Sequence, residues 1–147
     1  MPNEGIILRL ISNIEGYLND LQKVDNITFD EFNNDVIKQR FIERTLHIII
    51  ESILDITHYI ISDLKLREPA SYADAFNILY ENKILSTQGK DNGKLMSQFR
   101  NRLIHYYEKN DPEIIFGILK KHQNDFRFFI NEINDFVDKD RLKNIKV

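Results

Sequence analysis

Apolar residues recur along this chain at spacings of three and four, the repeat that places side chains on one face of an α-helix. The pattern predicts a first helix that ends near Lys23, after which Asp25 and Asn26 predict a turn. The predicted apolar stripe of this helix comprises Ile6, Leu10, Ile14, Leu18 and Leu21.

The second predicted helix is unusually long. Thr28 or Asp30 can cap its start, and no Pro or Gly interrupts the chain before Pro69. We therefore predict helix from about Asp30 to Leu64. Because this stretch is much longer than an average helix, a kink or a break within it is compatible with the pattern.

The rest of the chain also has the helical repeat. A third helix is predicted over about Tyr72 to Asn82, a loop over the Gly-, Asn- and Asp-rich stretch Ser86 to Gly93, a fourth helix through Ile104, and a fifth over about Pro112 to Val137. No segment alternates as a strand does. We predict one all-α domain over residues 1–147, an antiparallel up-and-down bundle of about five helices.

Composition narrows the function classes. The net charge of −3 gives no global attraction to polyphosphate, so any RNA contact must depend on a local patch. The absence of cysteine excludes disulfides, thiolate zinc sites and cysteine nucleophiles.

The start of the chain lacks the features of a signal peptide, and no apolar run reaches the roughly 20 residues of a membrane span. We predict a cytoplasmic protein without membrane contact.

The candidate chemistry lies in the stretch from Phe99 to Tyr107, late on the fourth predicted helix. A metal-free ribonuclease needs a base for the 2′-hydroxyl and a cation for the charge that builds on phosphorus. His105 can exchange protons near neutral pH, and Arg100 has a cationic fork suited to phosphate. Asn101 adds a supporting hydrogen-bonding group. These residues predict metal-independent RNA cleavage without a cofactor.

The spacing of the pair indicates a shared site. Five residues turn an ideal helix by about 140° and advance it by about 7.5 Å, so Arg100 and His105 do not share one narrow face. A cleft between two copies of the helix, related by a two-fold axis, would let both residue types converge on one phosphate. We therefore expect a homodimer whose interface includes this helix.

Arg100, His105 and Tyr107 form the pattern R-x-x-x-x-H-x-Y, which resembles the motif of HepT-like proteins of the HEPN superfamily. Asn101 stands where that family commonly has a polar residue, and the segment Arg40 to Ile61 resembles the family's long second helix. The resemblance implies an all-α homodimer, metal-independent endoribonuclease activity that leaves a 2′,3′-cyclic phosphate, and a minimal nucleotidyltransferase (MNT) partner acting as antitoxin. It also implies that this partner transfers AMP to Tyr107.

Polar residues form a stripe roughly 80° wide within the second predicted helix. This polar stripe comprises Arg40, Arg44, His47, Glu51, Asp55 and His58. Three interpretations remain open: a solvated face with i,i+4 pairs, a support in which Glu51 or Asp55 orients an Arg or His of the motif, and a metal site of His47, Glu51 and His58.

Other interpretations stand beside the enzyme. The chain could be a non-catalytic interaction module that presents the motif to a nucleotidyltransferase, or a plain helical structural protein. Arg102 points about 200° away from Arg100, which favours a solvated or salt-bridged residue over a second catalytic one. Tyr107 has a competing interpretation as a packed residue that helps to hold His105.

Overall fold

The structure is a computed structural model that describes residues 4–105 and 111–145, with side chains described as far as Asp140. The described ranges are helical and contain no strand, so the predicted all-α class is confirmed. Their helices are α1 Glu4–Gln22, α2 Phe29–Asn34, α3 Val36–Asp63, α4 Tyr72–Glu81, α5 Thr87–Ile104, α6 Pro112–Lys121 and α7 Gln123–Ile145.

Helix α3 is the centre of the bundle, since it contacts each of the other described helices. Its interior positions are rich in isoleucine, and most of these side chains are fully buried. Removing such apolar surface from water is the main stabilising contribution to a core of this kind. The polar stripe therefore lies on the outer side of the helix that organises the fold.

The predicted stripe of α1 is correct in its second half only. Ile14, Leu18 and Leu21 are buried as predicted, but at the start of the helix Ile7 and Ile11 are buried. Ile7 and Ile11 directly follow the predicted positions Ile6 and Leu10. All four residues are apolar, so the sequence pattern is compatible with either pair being buried. Packing against α3 selects between them.

The predicted single helix from Asp30 to Leu64 is broken at Asp35. The Asp35 backbone is extended, and its carboxylate accepts hydrogen bonds of 3.1 Å from the backbone N–H groups of Ile37 and Lys38. Asp35 is thus the N-cap of α3, because its side chain satisfies amides that have no partner inside the helix. The sequence pattern was compatible with a break in this helix, and the break occurs at Asp35.

The predicted loop from Ser86 to Gly93 is wrong, because α5 begins at Thr87. The Ser86 hydroxyl caps it by accepting from the backbone N–H of Gly89 at 3.1 Å. Gly89 and Gly93 are buried, and an added Cβ at Gly93 would clash with the ring of Phe76 on α4. These glycines permit close helix packing, whereas we predicted a turn from their composition.

The fifth predicted helix is two helices, α6 and α7, which meet at His122. The second of them continues past the predicted end at Val137. Within the described ranges, no helix is both long and apolar enough to cross a membrane.

Candidate active site

Arg100 projects from α5 toward the polar stripe of α3. Its Nε donates to Glu51 Oε1 at 2.6 Å, and only 19% of its side chain is exposed. Such a short contact between a guanidinium and a carboxylate is a charge-assisted hydrogen bond. The geometry matches the arrangement predicted for a supporting Glu51.

Tyr72, the first residue of α4, lies against the face of the same guanidinium. Arg100 Cζ is 4.4 Å from the centre of the Tyr72 ring, which is the geometry of a cation–π contact. The ring of His58 meets Tyr72 edge-on, with centres 5.8 Å apart. Glu51 and Tyr72 together hold one edge and one face of the guanidinium.

The two Nη groups of Arg100 make no hydrogen bond to the described part of the chain. A guanidinium carries five N–H donors in a planar fork, and only Nε–H is used here. The remaining edge is the one that can bind two oxygens of a phosphate. The site therefore offers a cation of fixed orientation with its binding edge available.

The polar stripe itself divides into two parts. His47 Nε2 lies 3.3 Å from the same Glu51 Oε1, and because a carboxylate only accepts, His47 must carry its proton on Nε2. Arg40, farther toward the start of α3, pairs with Glu43 at 3.3 Å, not with the stripe. The stripe is thus exposed at Arg40, and Glu51, near its middle, binds Arg100.

No metal site is formed by the stripe. His58 Nδ1 donates to the carbonyl of Leu54 at 2.9 Å, and no three His, Asp or Glu side chains in residues 4–105 and 111–140 are grouped as metal ligands. The predicted alternative of His47, Glu51 and His58 as ligands is therefore not formed in this arrangement.

Asp55 is one helical turn from Glu51, on the exposed side of α3. Partial desolvation, and after it the nearby Glu51 charge, raise the pKa of the Asp55 carboxyl above its ordinary value. Asp55 has no described contact with Arg100. Of the two carboxylates proposed as supports, the fold brings Glu51 alone to the motif arginine.

His105 ends α5, with its backbone N–H bonded to the Asn101 carbonyl at 3.2 Å. The side chains of His105 and Asn101 are exposed, and in the described part of the chain no hydrogen bond or ion pair joins His105 to Arg100. Tyr107 lies outside the described residues. Arg100 is therefore largely buried against α3, whereas His105 is exposed at the end of α5.

Tyr72 was missed by sequence reasoning, which used it only as the first residue of a helix. Nothing local to its sequence position indicates a contact with a residue on the next helix. The cap at Ser71, whose hydroxyl accepts from Asp74 N at 3.0 Å, fixes where α4 starts and so where the ring lies. This contact follows from packing alone.

The sequence profile of the family described as ribonuclease HepT-like matches residues 14–133. The chain belongs to this family. The predicted family resemblance is therefore confirmed, and the match includes Glu51, Tyr72, Arg100 and His105.

Named relatives of the HepT-like family are similar over nearly the full chain. The tRNA nuclease HepT of Aphanizomenon flos-aquae is 29% identical over 132 residues, covering 90% of both chains. The mRNA nuclease HepT of Shewanella oneidensis is 28% identical over 128 residues, covering 87% of this chain and 96% of the relative.

One solved structure connects the fold with an assembly. The tri-AMPylated HEPN toxin of Shewanella oneidensis, in complex with its MNT antitoxin, matches with a TM-score of 0.78 and 28% identity. The match covers 88% of this chain and 97% of the other. The chain thus shares the fold of this HEPN toxin over most of its length.

Proposed function

We propose that this chain is a metal-independent endoribonuclease that acts as the toxin of a toxin–antitoxin pair. The proposal rests on the observed contacts of Arg100, the arginine of the motif. It is held by Glu51 and Tyr72 with its Nη edge left for an anion. The named nucleases among the relatives support the choice of RNA as the substrate.

The chemistry assigned to the site needs no group beyond the chain's own side chains. His105 accepts the proton of a 2′-hydroxyl, and the resulting oxygen attacks the adjacent phosphorus. The 5′-oxygen leaves with a proton taken from water or an imidazolium, and the phosphate closes to a 2′,3′-cyclic ester. Arg100 stabilises the charge that builds on the phosphoryl oxygens, and Asn101 supplies a further hydrogen bond.

We place the working site in a cleft between two copies of the chain. Arg100 is largely buried against α3 and His105 is exposed at the end of α5, so a second copy of α5 would bring both kinds of group to one phosphate. The outer face of α3 fits such an interface. Ile37 and Phe41 on that face are 78% and 41% exposed, and they lie about 40° and about 80° around α3 from Glu51.

We assign the control of this activity to an MNT-type nucleotidyltransferase antitoxin that transfers AMP to Tyr107. The complex of an AMPylated HEPN toxin with its MNT antitoxin supports this assignment. An adenylate on Tyr107, two residues beyond His105, would bring a bulky anion to the cleft. It would compete with the RNA phosphate for the Nη edge of Arg100.

The test is RNA cleavage by purified chain, together with growth arrest on expression. Arg100→Ala and His105→Ala should each abolish both, while Arg9→Ala, an exposed arginine on α1, should retain both. Cleavage by the wild type should persist in EDTA and leave cyclic phosphate ends. Circular dichroism establishes that each variant is folded.

The competing interaction-module function gives a different result. A module would bind the transferase equally well with Arg100→Ala and would cleave no RNA in any form. Cleavage lost on chelation would instead contradict the metal-free mechanism. Intact-mass analysis after co-expression with the transferase tests Tyr107 separately, because Tyr107→Phe should gain no adenylate mass.

A further inference from the structure

A cavity of about 540 Å³ opens between α5 and α6, on the other side of α5 from Glu51. Its wall includes Asn101 and Arg102 from the motif and Gly117, Lys121 and His122 from the region of α6. This volume lies in the range of small-molecule sites. The catalytic proposal above does not use it.

Gly117 lines this cavity. It lies inside α6, where glycine destabilises a helix by about 1 kcal/mol relative to alanine. An added Cβ there would have no heavy atom within 4 Å, so no close helix contact requires glycine. Gly89 and Gly93 on α5 are different, since an added Cβ would clash at both. A side chain at position 117 would therefore project into the cavity.

The charge of the cavity wall is opposite to that of the whole chain. Arg102 and Lys121 are exposed, and neither has an ion pair with any described residue. Glu113 is the one described carboxylate in the wall, so cations are in excess there. Since the net charge of the chain is −3, this is the kind of local patch that RNA binding requires.

One wall of the cavity is aromatic. The rings of Phe99 and His122 are 4.7 Å apart at their centres and tilted by 58°. His122 Nδ1 donates to Asp125 Oδ2 at 2.9 Å, which fixes the ring and leaves Nε2 without a described partner. Aromatic walls beside cations are how proteins bind unpaired nucleotides.

The cavity and Arg100 lie on different faces of α5. Asn101 follows Arg100 directly and lines the cavity, and Arg102 is about 3 Å farther along the helix axis and about 200° around it. Asn101 and His105 are exposed on α5 between the two features. A single strand whose phosphate lies at Arg100 must therefore pass around α5, over Asn101 and His105, to reach the cavity.

We propose that this cavity binds a nucleotide of single-stranded RNA that lies beyond the cleaved phosphate, around α5. The proposal rests on the ribonuclease function proposed above and adds a subsite to it. Phe99 and His122 contact the base, and Arg102 and Lys121 bind the following phosphate. Gly117 is small because the base occupies the space that a side chain would fill.

The test measures binding by fluorescence anisotropy with a short, labelled 2′-O-methyl RNA, which cannot be cleaved because its 2′-oxygen is blocked. Gly117→Leu fills the cavity and should raise Kd about tenfold, from the loss of one base contact. Gly16→Leu is the matched control. Gly16 also has open space at its Cβ but lies on α1, so its Kd should stay within about twofold of wild type.

A charge variant tests the phosphate contact separately. The double substitution Arg102→Gln with Lys121→Gln should reduce the magnitude of the slope of log K against log salt by about 1.4, about 0.7 for each cation on a single strand. Lys94→Gln, an exposed cation on α5 outside the cavity, should leave the slope unchanged.

The outcomes separate this proposal from the catalytic one. Unchanged RNA affinity in folded Gly117→Leu overturns the subsite, whether or not the wild type cleaves. Gly117→Leu that keeps RNA affinity but loses the antitoxin makes the cavity a protein-docking site and also overturns it. A wild type that binds through Gly117 yet never cleaves refutes the ribonuclease and supports the subsite.

Discussion

In our proposal Arg100 is a phosphate-binding residue whose orientation is set before its substrate binds. A free arginine side chain must lose rotamer freedom when it binds, which reduces affinity. Here Glu51 holds Nε at 2.6 Å and Tyr72 covers one face, so much of that ordering exists before RNA arrives. Glu51 and Tyr72 are therefore positioning residues in our proposal.

Glu51→Gln tests the first of these contacts. The amide keeps the shape of the side chain but removes the charge that attracts Arg100, so we expect cleavage to fall about 10- to 100-fold. In an Arg100→Ala background, which should not cleave, the same change should have no further effect on the Kd for an uncleavable 2′-O-methyl RNA, since the two residues act through one contact. Equal losses of RNA affinity in both backgrounds would contradict the positioning role. The measurement is kcat/KM on a model RNA.

Tyr72 permits a matched pair of substitutions. Tyr72→Phe keeps the ring under Arg100 and should retain nearly full activity. Tyr72→Leu removes the cation–π contact, commonly about 0.5–2 kcal/mol, and should reduce kcat/KM roughly tenfold. If both variants lose activity equally, the hydroxyl is what matters and the stacking argument fails. Thermal unfolding of both variants separates these effects from a loss of stability.

Asp74 illustrates a residue whose charge stabilises the fold. Its carboxylate accepts from Arg67 Nη1 and Nη2 at 2.8 and 2.9 Å and from the backbone N–H of Ala70 at 2.9 Å. The hydrogen bonds from Arg67, and after them that from Ala70, lower the pKa of Asp74 below its ordinary range.

This depressed pKa predicts a pH dependence. The stabilisation is complete above the ordinary aspartate pKa of about 3.9 and is lost as the pH falls toward the lower value in the folded state. Asp74→Asn should therefore be less stable than wild type at pH 7, and the difference should shrink below about pH 4. Arg67→Gln should reproduce the pattern. Urea unfolding across this pH range provides the measurement.

At the scale of helices, glycine has two opposite roles in this chain. Gly93 on α5 lies against the buried Phe76 ring of α4, and an added Cβ would clash with it. Gly16 on α1 is exposed and has open space at its Cβ. The same residue type thus permits packing at one position and only weakens the helix at the other.

Alanine substitution distinguishes these roles. Gly16→Ala should increase the free energy of unfolding by about 0.5–1 kcal/mol, because alanine restricts the unfolded chain and favours helix. Gly93→Ala should decrease it by about 1–3 kcal/mol, since Phe76 cannot move without disturbing the core. Both are measured by urea unfolding, and a stabilised Gly93→Ala would contradict the packing between α4 and α5.

Caps explain why the predicted helix boundaries failed where they did. Asp35 divides one predicted helix, and Ser86 begins another inside a predicted loop. Both types are good N-caps, but they are equally common in turns, so composition alone does not choose between the two uses. The choice depends on which neighbouring amides the fold leaves without partners.

At the scale of the whole molecule, the proposed dimer makes the outer face of α3 an interface. Ile37 is 78% exposed, unusual for an isoleucine, and Phe41 lies one turn farther along the same face. Ile37 lies within about 40° of Glu51 around α3, so this exposed apolar group and the carboxylate that holds Arg100 face the same side of the bundle.

Ile37→Asp combined with Phe41→Asp should convert the dimer into a monomer, because charges would be buried without partners. RNA cleavage should be lost with it, as the site needs two copies. Leu8→Asp, an exposed apolar position on α1, is the control and should leave a dimer. Light scattering at micromolar concentration measures both. A wild-type monomer with full activity would refute the shared cleft.

By itself, the sequence determined the all-α class, the family and the motif that carries the proposed chemistry. Helical periodicity and the spacing from Arg100 to His105 are properties of neighbouring residues, so they can be seen without the fold. The catalytic roles of this pair, and the AMP site at Tyr107, stay predictions.

Only the tertiary structure decided which residues surround Arg100. Glu51 and Asp55 are chemically equivalent in the sequence and both lie in the polar stripe, yet the packing of α5 on α3 brings Glu51 alone to the guanidinium. Tyr72 also reaches the guanidinium of Arg100. Its helix, α4, lies between α3 and α5 in the sequence and packs against both of them. Contacts between distant residues depend on how helices pack, and helical periodicity specifies which face is buried but not which partner it meets.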